Sequence, residues 1–460
     1  MKIDVLVAEI GSTTTIVNAF NSIDGDVPVF AGSGAAPTSV ASGDVAIGLN
    51  AAIDDLTRAL GAESIEWSKF LATSSAAGGL RMTVHGLVYD MTVKAGREAA
   101  LGAGANIHMT TAGKLTQDDL AEIDATAPNL ILLAGGTDYG DRECAMHNAR
   151  MLCGLKSCAP VIYCGNVQNH GAVKAMFVEA DKRLYITENV YPRLDELNVE
   201  PVRKLIHQAF EEHITEAAGM ENIRSIVNGP IMPTPGAVMA CTQLLYEEIG
   251  DLLVVDVGGA TTDVHSATLG SEEIAMLQIA PEPFAKRTVE GDLGVYVSAR
   301  GLAEMVGFDK LNKELGFDAQ ACFDNYLPVP QTTEQLALTT RLAYHAASMA
   351  ILRHAGVLRY TYGASGRQTH ALGKDLSAVR HLVATGGALT RLPGRKPVLE
   401  ALTAINAGGG LLYPKPGQMT VLEDKSYIMA SVGVLAREFP EAAAHLLRKY
   451  LNFDERPGLQ

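Results

Sequence analysis

The chain has 460 residues, with 37 Lys and Arg against 52 Asp and Glu and a formal charge of −15. That balance disfavours nucleic acid or an anionic membrane as a partner, yet leaves room for a nucleotide whose phosphates are held by backbone N–H groups and Mg²⁺. With 47% apolar and 19% charged residues, the chain exceeds one ordinary domain and can bury a large core over roughly two to four subdomains.

No apolar run is long enough to span a bilayer. Asp4 and Glu9 interrupt the apolar stretch near the N-terminus that a signal peptide would need. A soluble cytoplasmic protein is expected, with a homo-oligomer left open. Cys144, Cys153, Cys158, Cys164, Cys241 and Cys322 include no C-x-x-C pair and fit no zinc pattern. Buried thiols are the expectation for them.

In chain order, residues 4–20 read as a strand, a turn at Gly11, Ser12 and Thr13, and a second strand. Residues 27–30 resume strand character. Residues 43–60 predict a helix with Val45, Leu49, Ile53, Leu56 and Leu60 on one face. A strand at 67–72 runs into small residues at 74–80, either a binding loop or a tight connection to a helix. Residues 92–101 suit a helix. A strand from 128 ends in Gly135, Gly136, Thr137 and Asp138, a further phosphate loop or, the favoured reading, the shaping of a helix N-terminus. Helix, strand, helix and strand follow at 142–155, 160–163, 174–180 and 183–187. This β-α-β run predicts an inserted α/β module at about 100–190. Residues 201–218 suit a polar amphipathic helix. The breaker cluster at 228–236 marks the expected boundary between a first lobe, 1–227, and a second, 228–460. A helix at 237–249 follows.

Residues 252–266 carry the strongest signal. An apolar, β-branched run ends in Asp256. Gly258, Gly259 and Ala260 then make a turn, followed by Thr261, Thr262 and Asp263 on a second strand. The order strand, turn, strand differs from the P-loop and the dinucleotide fingerprint, which both run from strand into helix. Glycine lets backbone N–H groups approach phosphate oxygens, threonine hydroxyls add donors, and Asp256 can hold hydrated Mg²⁺. Residues 4–20 repeat the pattern about half the chain earlier, which suggests two similar lobes. Downstream, Glu290 and Asp292 flank Gly291, either positioning Mg²⁺ or an attacking water or, for Asp292, capping a helix. A long helix is predicted at 339–359, with His345 and His354 as packing or surface residues. Residues 382–393 read as a strand, a turn at Gly386 and Gly387 followed by Ala388, and a helix start. Residues 427–437 suit a small-residue helix.

The two hairpins and the Gly386-Gly387 turn together resemble the phosphate and adenosine motifs of the actin, Hsp70 and sugar kinase superfamily. The resemblance implies an α/β, two-lobed actin-like (ribonuclease H-like) ATPase fold with duplicated β-hairpin phosphate loops. ATP and Mg²⁺ are its implied cofactors. Gly11, Ser12, Thr13, Thr14 and Gly258 to Thr262 would hold the phosphates, and Gly386, Gly387 and Ala388 the adenosine. Asp256, Asp263 and Glu290 would serve catalysis, with Asp256, Glu9 and Asp292 at the metal. Glu9 stands where many members carry Asp. Its extra methylene, on the order of 1.5 Å, favours a water-mediated metal contact.

Residues 9–15, 74–82, 132–138 and 290–294 narrow the resemblance to the GlmL/MutL family, distinct from the mismatch-repair MutL. That family comprises accessory proteins encoded with adenosylcobalamin-dependent mutases. It implies an ATP-dependent, chaperone-like reactivating factor and slow ATPase, partnered with subunits of glutamate mutase or a related aminomutase. A small-molecule kinase, an actin-like filament protein and, more weakly, a hydantoinase-like enzyme are the other readings. No Asp-x-His-x-x-Gly motif is present, so stable cobalamin binding is not expected.

Overall fold

The computed structural model describes residues 1–11, 14–39, 43–75, 80–213, 220, 222–363, 366–406, 408–451 and 453. The chain divides into two compact units. One holds Met1–Cys241 and Ala430–Leu446; the other holds Thr242–Met429 and the residues from Leu447 onward.

In the first unit the order is β1 (Lys2–Ile10), β2 (Thr14–Asn21), β3 (Val29–Pro37), α1 (Val45–Ala59) and β4 (Glu66–Ser74). A module follows, made of β5 (Leu80–Gly86), α2 (Lys94–Gly102), β6 (Ala105–Ala112), α3 (Gln117–Thr126), β7 (Leu130–Leu133), α4 (Glu143–Cys153), β8 (Val161–Tyr163), α5 (His170–Glu179) and β9 (Leu184–Ile186). Then come α6 (Glu200–His213), α7 (Ile223–Ile226), β10 (Ile231–Pro233) and α8 (Thr234–Ile249). The module strands form an all-parallel sheet ordered β6-β5-β7-β8-β9, the doubly wound arrangement.

The remaining strands form a five-stranded sheet ordered β10-β4-β1-β2-β3. Its central strand β1 buries Ile3, Val5, Leu6, Val7, Ala8 and Ile10, the near-continuous apolar pattern of a strand covered on both faces. The Asp44 side chain caps α1 by accepting from the Ala46 N–H. The helix buries Leu49 and Leu56, each contributing about 1.5–3 kcal/mol. β3 runs on to Pro37, well past the four residues read as strand. Its small residues carry little pattern because they serve the helix above: a Cβ on Gly34 would lie 2.2 Å from the Ala52 carbonyl oxygen and the Leu56 nitrogen.

The second unit opens with β11 (Leu252–Val257), β12 (Thr262–Ala267), α9 (Glu272–Ala275) and β13 (Ala285–Glu290). α10 (Ala299–Val306), α11 (Phe308–Leu315), α12 (Thr333–His354), β14 (Val357–Gly363) and β15 (Gly366–Leu372) follow. β16 (His381–Thr385), α13 (Gly387–Thr390), α14 (Arg395–Leu402) and β17 (Thr420–Glu423) complete its order, and the chain then returns to the first unit with α15 (Met429–Leu435) and most of α16 (Pro440–Leu451). The main sheet is ordered β13-β12-β11-β16-β17. As in the first unit, the opening three strands are antiparallel and the next two join in parallel. This is the duplicated ribonuclease H-like core of the actin-like ATPases, and the expected fold class holds. The duplication extends to the exits: α8 starts directly after β10, and α15 follows β17 by a short turn. A Cβ on Gly433 of α15 would lie 1.8 Å from the Ala237 carbonyl oxygen of α8, so the two helices cross backbone to backbone.

The helix predicted at 339–359 begins earlier and ends at His354, and β14 takes its last residues. Gly356 breaks the helix, and Val357, Tyr360, Thr361 and Tyr362 are β-formers. The β14–β15 hairpin went unread.

The buried His85 and the half-buried His207 tie the first unit's stability to pH. His85 bonds Thr83 and Thr111 through its two ring nitrogens, and His207 Nε2 donates to the Ala103 carbonyl. Burial pushes each down to about 4 from 6.5. Each therefore contributes stability that is complete above 6.5 and is lost as pH falls toward 4, because the unfolded chain takes up protons first. The urea midpoint should fall across that window, and His207→Gln should flatten the fall. An unchanged pH slope in the variant would contradict the assignment.

Candidate functional site

Both hairpins close in the same way. The Gly11 N–H donates to the Thr14 carbonyl at 3.1 Å, and the Gly258 N–H to the Thr261 carbonyl at 2.9 Å. Ser12 and Thr13 lie outside the described residues, as do residues 76–79 of the small-residue run. Glu9 precedes its turn as Asp256 precedes the second, and each pairs in parallel with a threonine, Thr73 or Thr385. Glu9 is thus the positional counterpart of Asp256. Opposite them stand Ile16 and Asp263, so only the second hairpin carries two facing acids.

The surroundings of Asp256 in the second unit are tight. Gly386, at φ +81°, abuts it: a Cβ there would lie 2.4 Å from Asp256 Oδ1 and 2.6 Å from the Val257 carbonyl oxygen. Glycine is required on both counts. Gly387 and Ala388 open α13 beyond this contact. Burial pushes the Asp256 carboxyl up to about 7, helped by Asp263 and Asp424 and opposed by Arg287. Asp424, itself pushed up by burial, accepts from Thr385 Oγ1 at 3.1 Å and from the backbone N–H groups of Ile428 and Met429.

Asp263 has a fixed partner. Arg287, 1% exposed, donates to its Oδ1 through Nη2 at 2.7 Å and Nε at 3.1 Å, and Thr261 Oγ1 donates to Oδ2 at 3.2 Å. Thr262 Oγ1 donates to the Leu293 carbonyl at 2.8 Å. A phosphate contact by either threonine hydroxyl has to replace one of these bonds. Gly259 and Ala260 are exposed at the tip of the turn.

The acidic segment 290–294 is strapped to that turn. The N–H groups of Val295, Tyr296 and Val297 donate to the carbonyls of Gly258 and Gly259. A Cβ on Gly294 would lie 2.4 Å from the Ala260 carbonyl. Arg353, near the end of α12, grips both acids: Nη1 bonds Glu290 and Asp292, and Nη2 reaches Asp292 Oδ2 at 2.9 Å. Burial raises the Glu290 carboxyl against Arg353, whereas the Arg353 bond lowers that of Asp292. Asp292 caps no helix, since α10 starts at Ala299.

Among the described residues, no cluster of three or more His, Cys, Asp or Glu is placed to chelate a metal. The cysteines form no disulfide; Cys144, Cys164 and Cys241 are buried as expected, whereas Cys158 is exposed. His354 is a buried packing residue, bonded to Ser266 and Thr288. A hydrated Mg²⁺ and nucleotide suit what is present: a half-buried carboxyl, a glycine-lined approach to it and an exposed turn. The sequence reading missed Arg287, Arg353 and Asp424. Their partners lie far along the chain, and no spacing rule joins them.

The sequence profile of the MutL protein family matches residues 5–451. The chain belongs to the MutL family. Protein MutL of Clostridium tetanomorphum is 39% identical over 423 residues, 89% of this chain and 91% of that protein. Among solved structures, the nucleotide-free diol dehydratase-reactivating factor is 11% identical, with a TM-score of 0.38 over 96% of this chain and 100% of that one. A glycerol dehydratase reactivase is also 11% identical, with a TM-score of 0.33 over 94% and 99%.

In this MutL-family chain the Arg287–Asp263 pair is buried, so removing one partner strands a charge. Arg287→Met should lower stability by about 3–5 kcal/mol in urea unfolding, with Arg287→Met/Asp263→Leu recovering much of the loss. A double variant no more stable than the single would sink this account of the pair.

Proposed function

We propose that this protein is an ATP-dependent reactivating factor for an adenosylcobalamin-dependent mutase, glutamate mutase or a related aminomutase. What supports the ATPase part is the setting of Asp256: a half-buried carboxyl at the end of a central strand, under Gly386, facing Asp263 and beside an exposed glycine turn. What supports the client is membership of the MutL family together with the role which that resemblance implies.

In this reading the backbone N–H groups of the two turns, residues 11–14 and 258–262, bind phosphate, and Gly386 to Ala388 lie against the adenosine. Mg²⁺ bound with ATP supplies charge neutralisation at the phosphates. Asp256 would be its principal carboxyl and Glu9 would act through water, while a contact by Asp292 would replace a bond to Arg353. Asp256 would also orient the metal's waters, including the attacking one. Asp263, held by Arg287, keeps its carboxylate oriented beside it. Phosphoryl transfer asks mainly for positioning and charge neutralisation, and a modest base gives slow turnover. Slow turnover suits a switch whose nucleotide state the client reads.

Asp256→Ala should fold normally and lose ATP turnover at least about a hundredfold, the scale of removing one preorganised electrostatic group. Circular dichroism and phosphate release check the two halves. Full hydrolysis by a folded variant removes Asp256 from the mechanism.

A further inference from the structure

We infer that the carboxyl edge of the inserted parallel sheet is a second ligand site, for a small oxyanion-bearing molecule, a phosphate ester or a carboxylate. It uses neither nucleotide turn and does not depend on the ATPase reading.

The topology marks the place. Counted within the module, the sheet order is 2-1-3-4-5. In doubly wound sheets ligands bind outside the carboxyl ends of two neighbouring strands whose chains depart to opposite faces. Here those neighbours are β5 and β7. After β5 the chain turns to α2, whose Ala95 and Ala99 share a core with Val84 and Leu132. After β7 it turns to α4, whose Ala145 and Ala149 pack with Ile131 and Leu133, the alternate residues of β7 and so its other face. The Ala134 N–H donates to the His85 carbonyl at 2.8 Å, which joins the two strands at this end.

Immediately beyond that bond, hydrogen-bond donors stand unpaired. Gly135 and Gly136 are buried. Yet among the described residues the N–H groups of Gly135, Gly136 and Thr137 find no acceptor, and the Thr137 hydroxyl makes no bond. Buried N–H groups are almost always paired, so these call for an acceptor that the chain itself does not provide. Gly136 turns the backbone at φ +62°, and successive N–H groups at such a turn form an anion-binding concavity. They are not the first turn of a helix, because α4 begins only at Glu143. The loop is also held in shape. Asn166 Nδ2 donates to the Gly140 and Asp141 carbonyls, each at 3.2 Å, and Asn189 Nδ2 to the Gly136 carbonyl at 3.0 Å.

The unpaired groups are donors, which selects a ligand that accepts. The two acids of the loop are engaged elsewhere: Asp138 Oδ1 accepts from the Val167 N–H and Asn189 Nδ2, and Asp141 Oδ1 from the Cys144 N–H. Lys114 supplies a cation at the same edge, exposed and without an ion pair among the described residues. Asn148 of α4 holds its segment there, accepting from the Leu115 N–H at 2.8 Å and donating to the Gly113 carbonyl at 2.9 Å. Exposed Tyr89 and Tyr139, on the connections that leave β5 and β7, offer apolar surface to the body of an organic anion.

The test follows hydrogen–deuterium exchange of residues 134–142 in the full chain, with phenyl phosphate or benzoate as the probe. A probe at about 10 mM with a Kd of about 1 mM should slow exchange at Gly135, Gly136 and Thr137 roughly tenfold. Thr137→Val/Lys114→Gln should remove most of that slowing while the circular dichroism spectrum and ATP turnover stay as in the wild type. Slowing by phenyl phosphate alone makes the ligand a phosphate ester, and slowing by benzoate alone a carboxylate; slowing by both shows that the oxyanion is what the loop recognises. No slowing by either probe leaves the donors to water and overturns the inference. Slowing of equal size in the double variant places the probe elsewhere and overturns it too.

Discussion

A carboxyl group half-buried among acids at the end of a central strand is the constraint around which the second unit is arranged. Asp256 has a facing acid, Asp263, across the hairpin. Asp263 raises the cost of ionising Asp256, and the fold answers with Arg287, a fully buried guanidinium on the next strand. The remaining neighbours follow from the same crowding. Gly386 has to lack a side chain because Asp256 and the Val257 carbonyl already fill the space. Asp424 accepts from three donors, which favour its carboxylate form, and its charge adds to the cost of ionising Asp256.

The first unit repeats the plan with the tension removed. Glu9 stands in the place of Asp256, but Ile16 faces it in place of a second acid. Thr73 stands where Thr385 does, and bonds Thr234 where Thr385 bonds Asp424. One copy of an ancestral sheet thus concentrates charge at its turn, and the other keeps the scaffold with little charge. The acidic loop behind the second turn has its own counter-charge in Arg353, the residue before His354, which is pinned to β12 and β13.

Much of this was legible in the sequence, for identifiable reasons. The hairpins could be read because apolar strands and glycine turns are local patterns, and Asp256, Gly258 and Gly386 stand out within them. β3 was cut short because its Gly and Ala residues reflect a helix packed above, a fact of tertiary structure. α12 was carried on to residue 359 and the hairpin after it went unread because its strands stand largely in solvent, with Arg359, Tyr360, Thr361 and Tyr362 exposed, and so lack the buried alternation that marks a strand. Arg287 and Arg353 were invisible because their partners are brought to them by the fold: Asp263 lies 24 residues and Glu290 63 residues away in the chain, and no local spacing marks either pair.

The central claim is that ATP turnover here serves the release of damaged cofactor from a mutase. The most direct measurement follows hydroxocobalamin release from inactivated glutamate mutase, with the protein present, as ATP·Mg²⁺ is added, withheld or replaced by ADP. The account predicts release and recovered mutase activity with ATP·Mg²⁺ alone. Release that is indifferent to the nucleotide, or a protein that binds no nucleotide, would contradict it.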